Sequence, residues 1–262
     1  MNNPKTINDK VLWLKFNTYW NNQLIKDCAD KYRVREYIEA KGHADLLNEL
    51  LGVYEKPEEI DWDSLPNEFV IKLNVGCGCN LVVGDKSKLN IEDTIKTMNS
   101  WFKVNHWITY SEMQYKGIKS YIIIEKYLGN PKGEPPVDYK FYCMNGKANS
   151  VMVCEDRGKD KKPKFFFMDK DWNKLPLTEE VFLYPDFVIE KPAKIDEAFS
   201  IAEKLSEDFP FVRVDLFIVD DRIYFGELTF TPSAGLDEDF KFIVPGEGVD
   251  TDTILGRQLV LP

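Results

Sequence analysis

Histidine is almost missing from this chain: of 262 residues, only His43 and His106 carry an imidazole. That scarcity removes most zinc sites and the histidine-based nucleophile dyads, because both chemistries set imidazole beside Cys, Asp or Glu at defined spacing. Both histidines read as structural or surface residues. Cysteine is sparse too, at five residues: Cys28, Cys77, Cys79, Cys143 and Cys154. One C-x-C pair occurs with no second Cys/His cluster, so a zinc reading of it is rejected. The odd cysteine count, and a start (MNNPKTINDK) without an apolar leader, lead us to expect reduced thiols and a cytoplasmic setting. No run approaches the ~20 apolar residues that span a bilayer, which leaves only peripheral membrane contact open. Basic residues are outnumbered, 34 Lys and Arg against 44 Asp and Glu, for a formal net charge of −10. Such a chain is a poor nucleic-acid binder, since phosphate neutralisation needs clustered cations. The basic run Lys159–Lys164 reads as a solvated loop. Internal repeats and low-complexity tracts are missing as well.

What the chain does have is a 44% hydrophobic and 13% aromatic composition, ample for one large domain or two to three small lobes. Residues 1–66 read as helical, with charged and apolar residues interleaved over Lys10–Tyr19 and Asp30–Lys41. The texture changes at Glu68. Phe69–Val75 and Leu81–Val83 read as strands around the glycine loop Gly76-Cys77-Gly78-Cys79. Ile91–Phe102 reads as a helix capped by Asn90. Tyr121–Ile124 is a strand running into Glu125-Lys126-Tyr127-Leu128-Gly129, and Pro131–Pro136 is a loop. Two hairpins follow: Tyr139–Met144 and Ala148–Cys154 around Asn145-Gly146, then Val212–Val219 and Arg222–Thr229 around Asp220-Asp221. Lys194–Ser206 is a helix between them. We therefore expect a helical N-terminal part (1–66), a small α+β lobe with the glycine loop (67–130) and a larger α+β lobe (131–262).

The residues that carry chemistry sit on these strands. Alternation puts Arg213 and Asp215 on one strand face, and Glu227 and Thr229 on one face of the partner strand. In register, these give two hard carboxylates beside a guanidinium, a set that suits Mg²⁺, which takes one or two carboxylates together with substrate phosphates. A cross-strand ion pair on an exposed hairpin is the plainer reading of the same pattern. The small-residue turn Thr231-Pro-Ser-Ala-Gly235, fit for close approach to a ligand, favours the metal. Lys72 lies inside an apolar strand, where a phosphate at the strand end would explain it; an edge lysine facing water is the alternative. The N–H groups of Gly76–Gly78 could cover phosphate oxygens. The backbone of Glu125–Leu128 could pair with an adenine edge. Asp138 could hold ribose hydroxyls, and Lys140 and Arg157 a phosphate or a substrate carboxylate; each also has a simple salt-bridge reading.

The order of these pieces resembles the ATP-grasp superfamily, and within it the teichuronopeptide-biosynthesis (TupA-like) branch. The resemblance runs from Asp30-Lys-Tyr-Arg-Val-Arg-Glu-Tyr37 through Leu65-Pro-Asn-Glu-Phe-Val-Ile-Lys72, Glu125-Lys-Tyr-Leu128 and Asp138-Tyr-Lys-Phe-Tyr142 to Phe225-Gly-Glu-Leu-Thr-Phe-Thr-Pro232. It implies an α+β ATP-grasp fold, two lobes enclosing an ATP cleft. It implies that Lys72 contacts ATP phosphate, that Gly76 to Gly78 cover it, that Glu125, Lys126, Tyr127 and Leu128 line the adenine pocket, and that Asp138 sits near the ribose. Lys140, Arg157 and Arg213 would hold phosphate or acceptor carboxylate, with Asp215, Glu227 and Thr229 on Mg²⁺. Thr229 stands where the superfamily usually has Asn, and the two cysteines of the glycine loop are a second departure. The implied activity is an ATP-dependent carboxylate–amine ligase working through an acyl phosphate, joining an amine to a uronic acid of capsular or cell-wall polysaccharide. The alternatives are a glycosyltransferase of the same pathway, for which Asp61-Trp-Asp63 and Asp169-Lys-Asp171 match a D-x-D motif formally, and a catalytically inactive ATP-binding module.

Overall fold

The computed structural model describes residues 3–129, 136–155 and 163–262. Arg157, with most of the loop 131–136 and of the basic run 159–164, lies outside the described residues. In chain order the helices are α1 (Ile7–Leu14), α2 (Gln23–Ala29), α3 (Val34–Ala40), α4 (Ile91–Trp101), α5 (His106–Thr109), α6 (Glu180–Leu183), α7 (Ile195–Ser206) and α8 (Thr251–Gly256). The strands are β1 (Leu50–Tyr54), β2 (Phe69–Leu73), β3 (Asn80–Val83), β4 (Ile122–Lys126), β5 (Asp138–Met144), β6 (Lys147–Glu155), β7 (Lys164–Met168), β8 (Lys174–Leu175), β9 (Phe211–Val219) and β10 (Arg222–Thr229). No helix among the described residues is long and apolar enough to cross a membrane.

The chain divides into two units, Trp20–Gly133 and Met1–Tyr19 with Glu134–Pro262. This redraws the expected boundaries. Residues 1–66 are not one helical region: β1 interrupts them, and their first nineteen residues fold with the C-terminal part. The cause is a set of long-range polar contacts that local periodicity does not encode. Asn8 N–H donates to Asp252 Oδ1 (2.8 Å), its side-chain amide donates to Asp237 O (3.0 Å), and Lys10 donates to the Gly256 and Leu259 carbonyls.

Trp20–Gly133 holds a four-stranded antiparallel sheet in the order β1-β4-β2-β3. Its core gathers Phe69, Ile71 and Leu73 from β2 and Ile122 and Ile124 from β4 against Met98 and Trp101 of α4. Burying each such side chain contributes about 1.5–3 kcal/mol. Asn90 caps α4 as expected, accepting from Asp93 N–H.

The other unit holds a six-stranded antiparallel sheet in the order β10-β9-β5-β6-β7-β8. Both hairpins form. Asn145 and Gly146, and likewise Asp220 and Asp221, take positive φ, the backbone that two-residue hairpin turns require. Helix α7 buries Ile195, Ala198, Phe199, Ala202 and Leu205, a stripe of helical period, against β5, β6 and β9. Phe141 (0% exposed) and Phe199 meet edge-to-face at 4.9 Å beneath the sheet.

One irregularity decides what the opposite face of this sheet carries. Phe225 lies opposite Leu216, yet the next paired residue, Glu227, lies opposite Asp215, so Gly226 is a bulge. The buried residues of β10 shift phase there, from Ile223 and Phe225 to Leu228. Without the extra residue, Glu227 and Thr229 would turn toward the apolar α7 face. A Cβ at residue 226 would stand 2.8 Å from the Asp215 carbonyl oxygen, so only glycine fits. We expect Gly226→Val to destabilise the chain by about 1–3 kcal/mol through overpacking against backbone. Urea unfolding measures this, and an unchanged midpoint would remove the bulge from the account.

Candidate functional site

The bulge and strict strand alternation together assemble a polar face on β5, β9 and β10. Lys140 pairs in register with Asp215, and Asp215 with Glu227; one row on, Tyr142 pairs with Arg213, and Arg213 with Thr229. Arg213 donates from Nε to Asp215 Oδ1 (2.7 Å) and from its terminal NH2 to Oδ2 (2.7 Å), a two-pronged pair. Lys140 Nζ donates to Asp215 Oδ2 (2.8 Å) and lies 3.4 Å from Asp138. Arg213 also donates to Thr229 Oγ1 (3.1 Å), and Thr229 in turn donates to Glu227 Oε1 (3.1 Å). The hydroxyl thus accepts and donates at once, linking guanidinium to carboxylate.

The two carboxylates differ in access. The side chain of Asp215 is 3% exposed, with both oxygens engaged by cations, whereas that of Glu227 is 40% exposed. Burial opposes the charge on Arg213, but the Asp215 carboxylate outweighs it and holds the guanidinium pKa above the ordinary arginine value. Tyr142, fully buried and hydrogen-bonded to Arg213, has its hydroxyl pKa pushed up by burial. Sequence reasoning passed over Tyr142 as a site residue, although it is the next same-face position after Lys140. Three carboxylates (Asp138, Asp215, Glu227) face two cations (Lys140, Arg213), so the face has anionic charge to spare for a divalent cation. No group of three or more His, Cys, Asp and Glu suited to a metal occurs among the described residues. The donors present therefore fit an ion such as Mg²⁺, which completes its shell with phosphates and water, and not a self-sufficient metal cage.

The turn after β10 is strained. Ser233 (φ 47°), Ala234 (φ 57°) and Gly235 (φ 82°) are successive left-handed residues. Such conformations persist where surroundings over-determine them, often at functional sites. Here the support comes from the N-terminal segment: buried Lys15 donates to Ala234 O (3.0 Å), and Asp237 N–H donates to Asn8 Oδ1 (2.9 Å). Neither Lys15 nor Asn8 carried a local signal of this role.

In the other unit, Lys72 is not an edge lysine. Strand β2 runs between β4 and β3, and Lys72 Nζ donates to Glu125 Oε2 at 2.6 Å. Arg35 approaches the other carboxylate oxygen, Oε1, at 3.6 Å. Lys126 has protein partners on both backbone groups: its N–H donates to Glu49 O (3.0 Å), and its carbonyl accepts from Asn48 Nδ2 (2.8 Å). In the glycine loop, Gly76 and Gly78 take positive φ, and Lys31 Nζ donates to Gly76 O (2.6 Å). A Cβ on Gly76 would collide with His106. His106 is buried, with Nε2 3.8 Å from Cys79 Sγ and Nδ1 without a hydrogen-bond partner. Burial, assisted by nearby Lys31, lowers its pKa. The D-x-D matches are turn residues: Asp169 accepts from the backbone and side chain of Asn173, and Asp61 O accepts from Ser64.

The family model described as TupA-like ATPgrasp matches residues 9–260. Among solved structures, the chain is similar to D-alanine–D-alanine ligase from Bacillus anthracis, with 18% identity and a TM-score of 0.48 over 79% of this chain and 59% of that one. The Helicobacter pylori D-alanine–D-alanine ligase gives 16% identity and a TM-score of 0.45 over 89% and 61%. The ADP complex of N5-carboxyaminoimidazole ribonucleotide synthetase gives 14% identity and a TM-score of 0.49 over 96% and 57%. The chain thus spans less than two thirds of the length of these structures. No curated protein matches it.

Because the pKa of His106 is lowered in the folded chain, the unfolded chain binds the proton more readily. The stability this residue contributes is whole above the ordinary histidine value of about 6.5 and is lost as pH falls through the lower folded value. Between about pH 7.5 and about pH 5.5, we expect the urea midpoint to fall more for the natural chain than for His106→Gln. Equal falls would contradict the burial of a neutral imidazole.

Proposed function

The chain belongs to the TupA-like ATP-grasp family, and on that footing we propose that it is an ATP-dependent carboxylate–amine ligase. The observation that carries this reading is the β5–β9–β10 face, where Lys140 and Arg213 stand against Asp215 with Glu227 open to solvent. In this reading Lys140 and Arg213 hold the transferring phosphate or the acceptor carboxylate, together with Arg157. Glu227 and Asp215 hold Mg²⁺, with Thr229 beside them, and Asp138 holds the ribose. Glu227, the more exposed carboxylate, is the principal metal ligand, and Asp215 serves as much to orient the two cations. In the other unit Lys72 contacts phosphate, the loop from Gly76 to Gly78 covers it, and Glu125, Lys126, Tyr127 and Leu128 line the adenine. Because both backbone groups of Lys126 already have partners, recognition of adenine falls mainly to its neighbours.

The chemistry requires no protein nucleophile. A substrate carboxylate attacks the γ-phosphorus of ATP, forming an acyl phosphate and releasing ADP. An amine then attacks the acyl carbon, forming the amide and releasing phosphate. Bound Mg²⁺ would supply charge neutralisation of the phosphates. The side chains supply position and positive charge: Arg213 is pinned at Asp215, and Lys140 is set one strand away, so neither reorganises when the transition state forms. We assign the acceptor to the uronic acids of capsular or cell-wall polysaccharide and the donor to an amino acid or related amine, on the sequence resemblance. One observation favours a second reading, an ATP-binding module without turnover: Lys72 and both oxygens of Asp215 are already engaged within the protein.

Calorimetric titration with Mg–ATP, followed by ADP release on adding uronic acids and amines, separates the two readings. The ligase reading expects binding and turnover, whereas absence of ATP binding sinks both. Glu227→Gln is expected to abolish magnesium-dependent ATP turnover, a loss of at least about 10²-fold, while the circular dichroism spectrum stays unchanged. Unaltered turnover would remove Glu227 from the metal.

A further inference from the structure

The Lys72–Glu125 pair raises a difficulty for any phosphate role of Lys72. The two residues are diagonal neighbours on one face of β2 and β4: Lys72 lies opposite Ile123, and Glu125 opposite Val70. Their side chains are 26% and 11% exposed, so the carboxylate is nearly removed from water. If the ammonium left for a phosphate, Glu125 would remain a buried charge, and a buried charge is tolerated only when paired. Lys72 would then be held in place by its own partner.

Arg35 resolves this. It sits at the start of α3, 3.6 Å from the Glu125 oxygen that Lys72 does not use, with its side chain 19% exposed. Its other terminal nitrogen donates to Asn48 O at 3.0 Å. Asn48 is itself fixed, being 7% exposed, with its amide nitrogen on Lys126 O and its amide oxygen accepting from Glu49 N–H. The guanidinium is thus anchored to the segment before β1 and to the end of β4. The lysine is a point charge on a flexible stem, free to swing; the arginine fork is planar and tethered. We propose that Arg35 is a positioning residue that keeps Glu125 paired when Lys72 moves, so that Lys72 is released to the nucleotide phosphate. The inference rests on the reading that Lys72 contacts phosphate.

The test is a set of Mg–ATP dissociation constants, measured by calorimetry for Arg35→Met, Glu125→Gln, Lys72→Met and the double variant Arg35→Met/Glu125→Gln. Arg35→Met should weaken binding by at least about tenfold, since among the described residues Lys72 is then the one ion-pair partner left to Glu125. Removing the Glu125 charge makes a counter-ion unnecessary, so the double variant should bind within about threefold of Glu125→Gln alone. A merely structural role for Arg35 would not be rescued in this way. Arg35→Met binding like the natural chain, or a double variant as weak as the two losses combined, overturns the proposal. If instead Lys72→Met binds Mg–ATP as the natural chain does, the phosphate assignment has failed, and this proposal falls with it. The double variant also reports folding, because recovery of binding requires a folded unit.

Discussion

Asp215 is nearly out of contact with water, and a carboxylate there is stable only because Arg213 and Lys140 are held against it. Removing one partner of such a buried set typically costs about 3–5 kcal/mol, since it strands the other charge. That constraint orders the rest of the face. Arg213 must lie flat against both oxygens, which brings the second N–H of the same terminal nitrogen to Thr229 and, through Thr229, reaches Glu227. Tyr142 closes the guanidinium from the adjacent strand. The six-stranded sheet supplies the spacing, and α7 packs against β5 and β9 on the opposite face.

Two backbone departures serve this arrangement. The bulge at Gly226 turns Glu227 and Thr229 toward Asp215 and away from the core. The left-handed residues Ser233 and Ala234 then turn the chain within five residues of the end of β10. Strain of this kind costs of order 1–3 kcal/mol per residue and needs support from elsewhere. The support is the N-terminal helix and its extension, through Asn8, Leu12 and Lys15. This explains why the first nineteen residues belong with Glu134–Pro262.

Much of the local structure was legible. Asn145-Gly146 and Asp220-Asp221 announced their hairpins because few residues accept two successive positive φ values. Asn90 announced α4, and i, i+2 spacing placed Arg213 with Asp215 and Lys140 with Asp138. What stayed hidden depended on contacts distant in sequence. β1 (Leu50–Tyr54) is only partly buried along its length, has Gly52 at a bulge, and takes its identity from pairing with β4 seventy residues later. The β10 bulge was equally hidden: Phe225-Gly-Glu227-Leu-Thr229 reads as plain alternation, and only the size of Phe225 hints that it and Glu227 must face opposite sides. Arg35 looked like one of several charges on an amphipathic helix. Its meaning came from Glu125, ninety residues away.

In the proposed function, this face of β5, β9 and β10 receives the phosphates and metal of a nucleotide. A crystal structure of the chain with Mg²⁺ and a non-hydrolysable ATP analogue tests it most directly. The metal is expected on Glu227 and Asp215, with Lys140 and Arg213 against the terminal phosphates. A nucleotide bound with its metal on other residues, leaving the Arg213–Asp215–Lys140 set untouched, would contradict it.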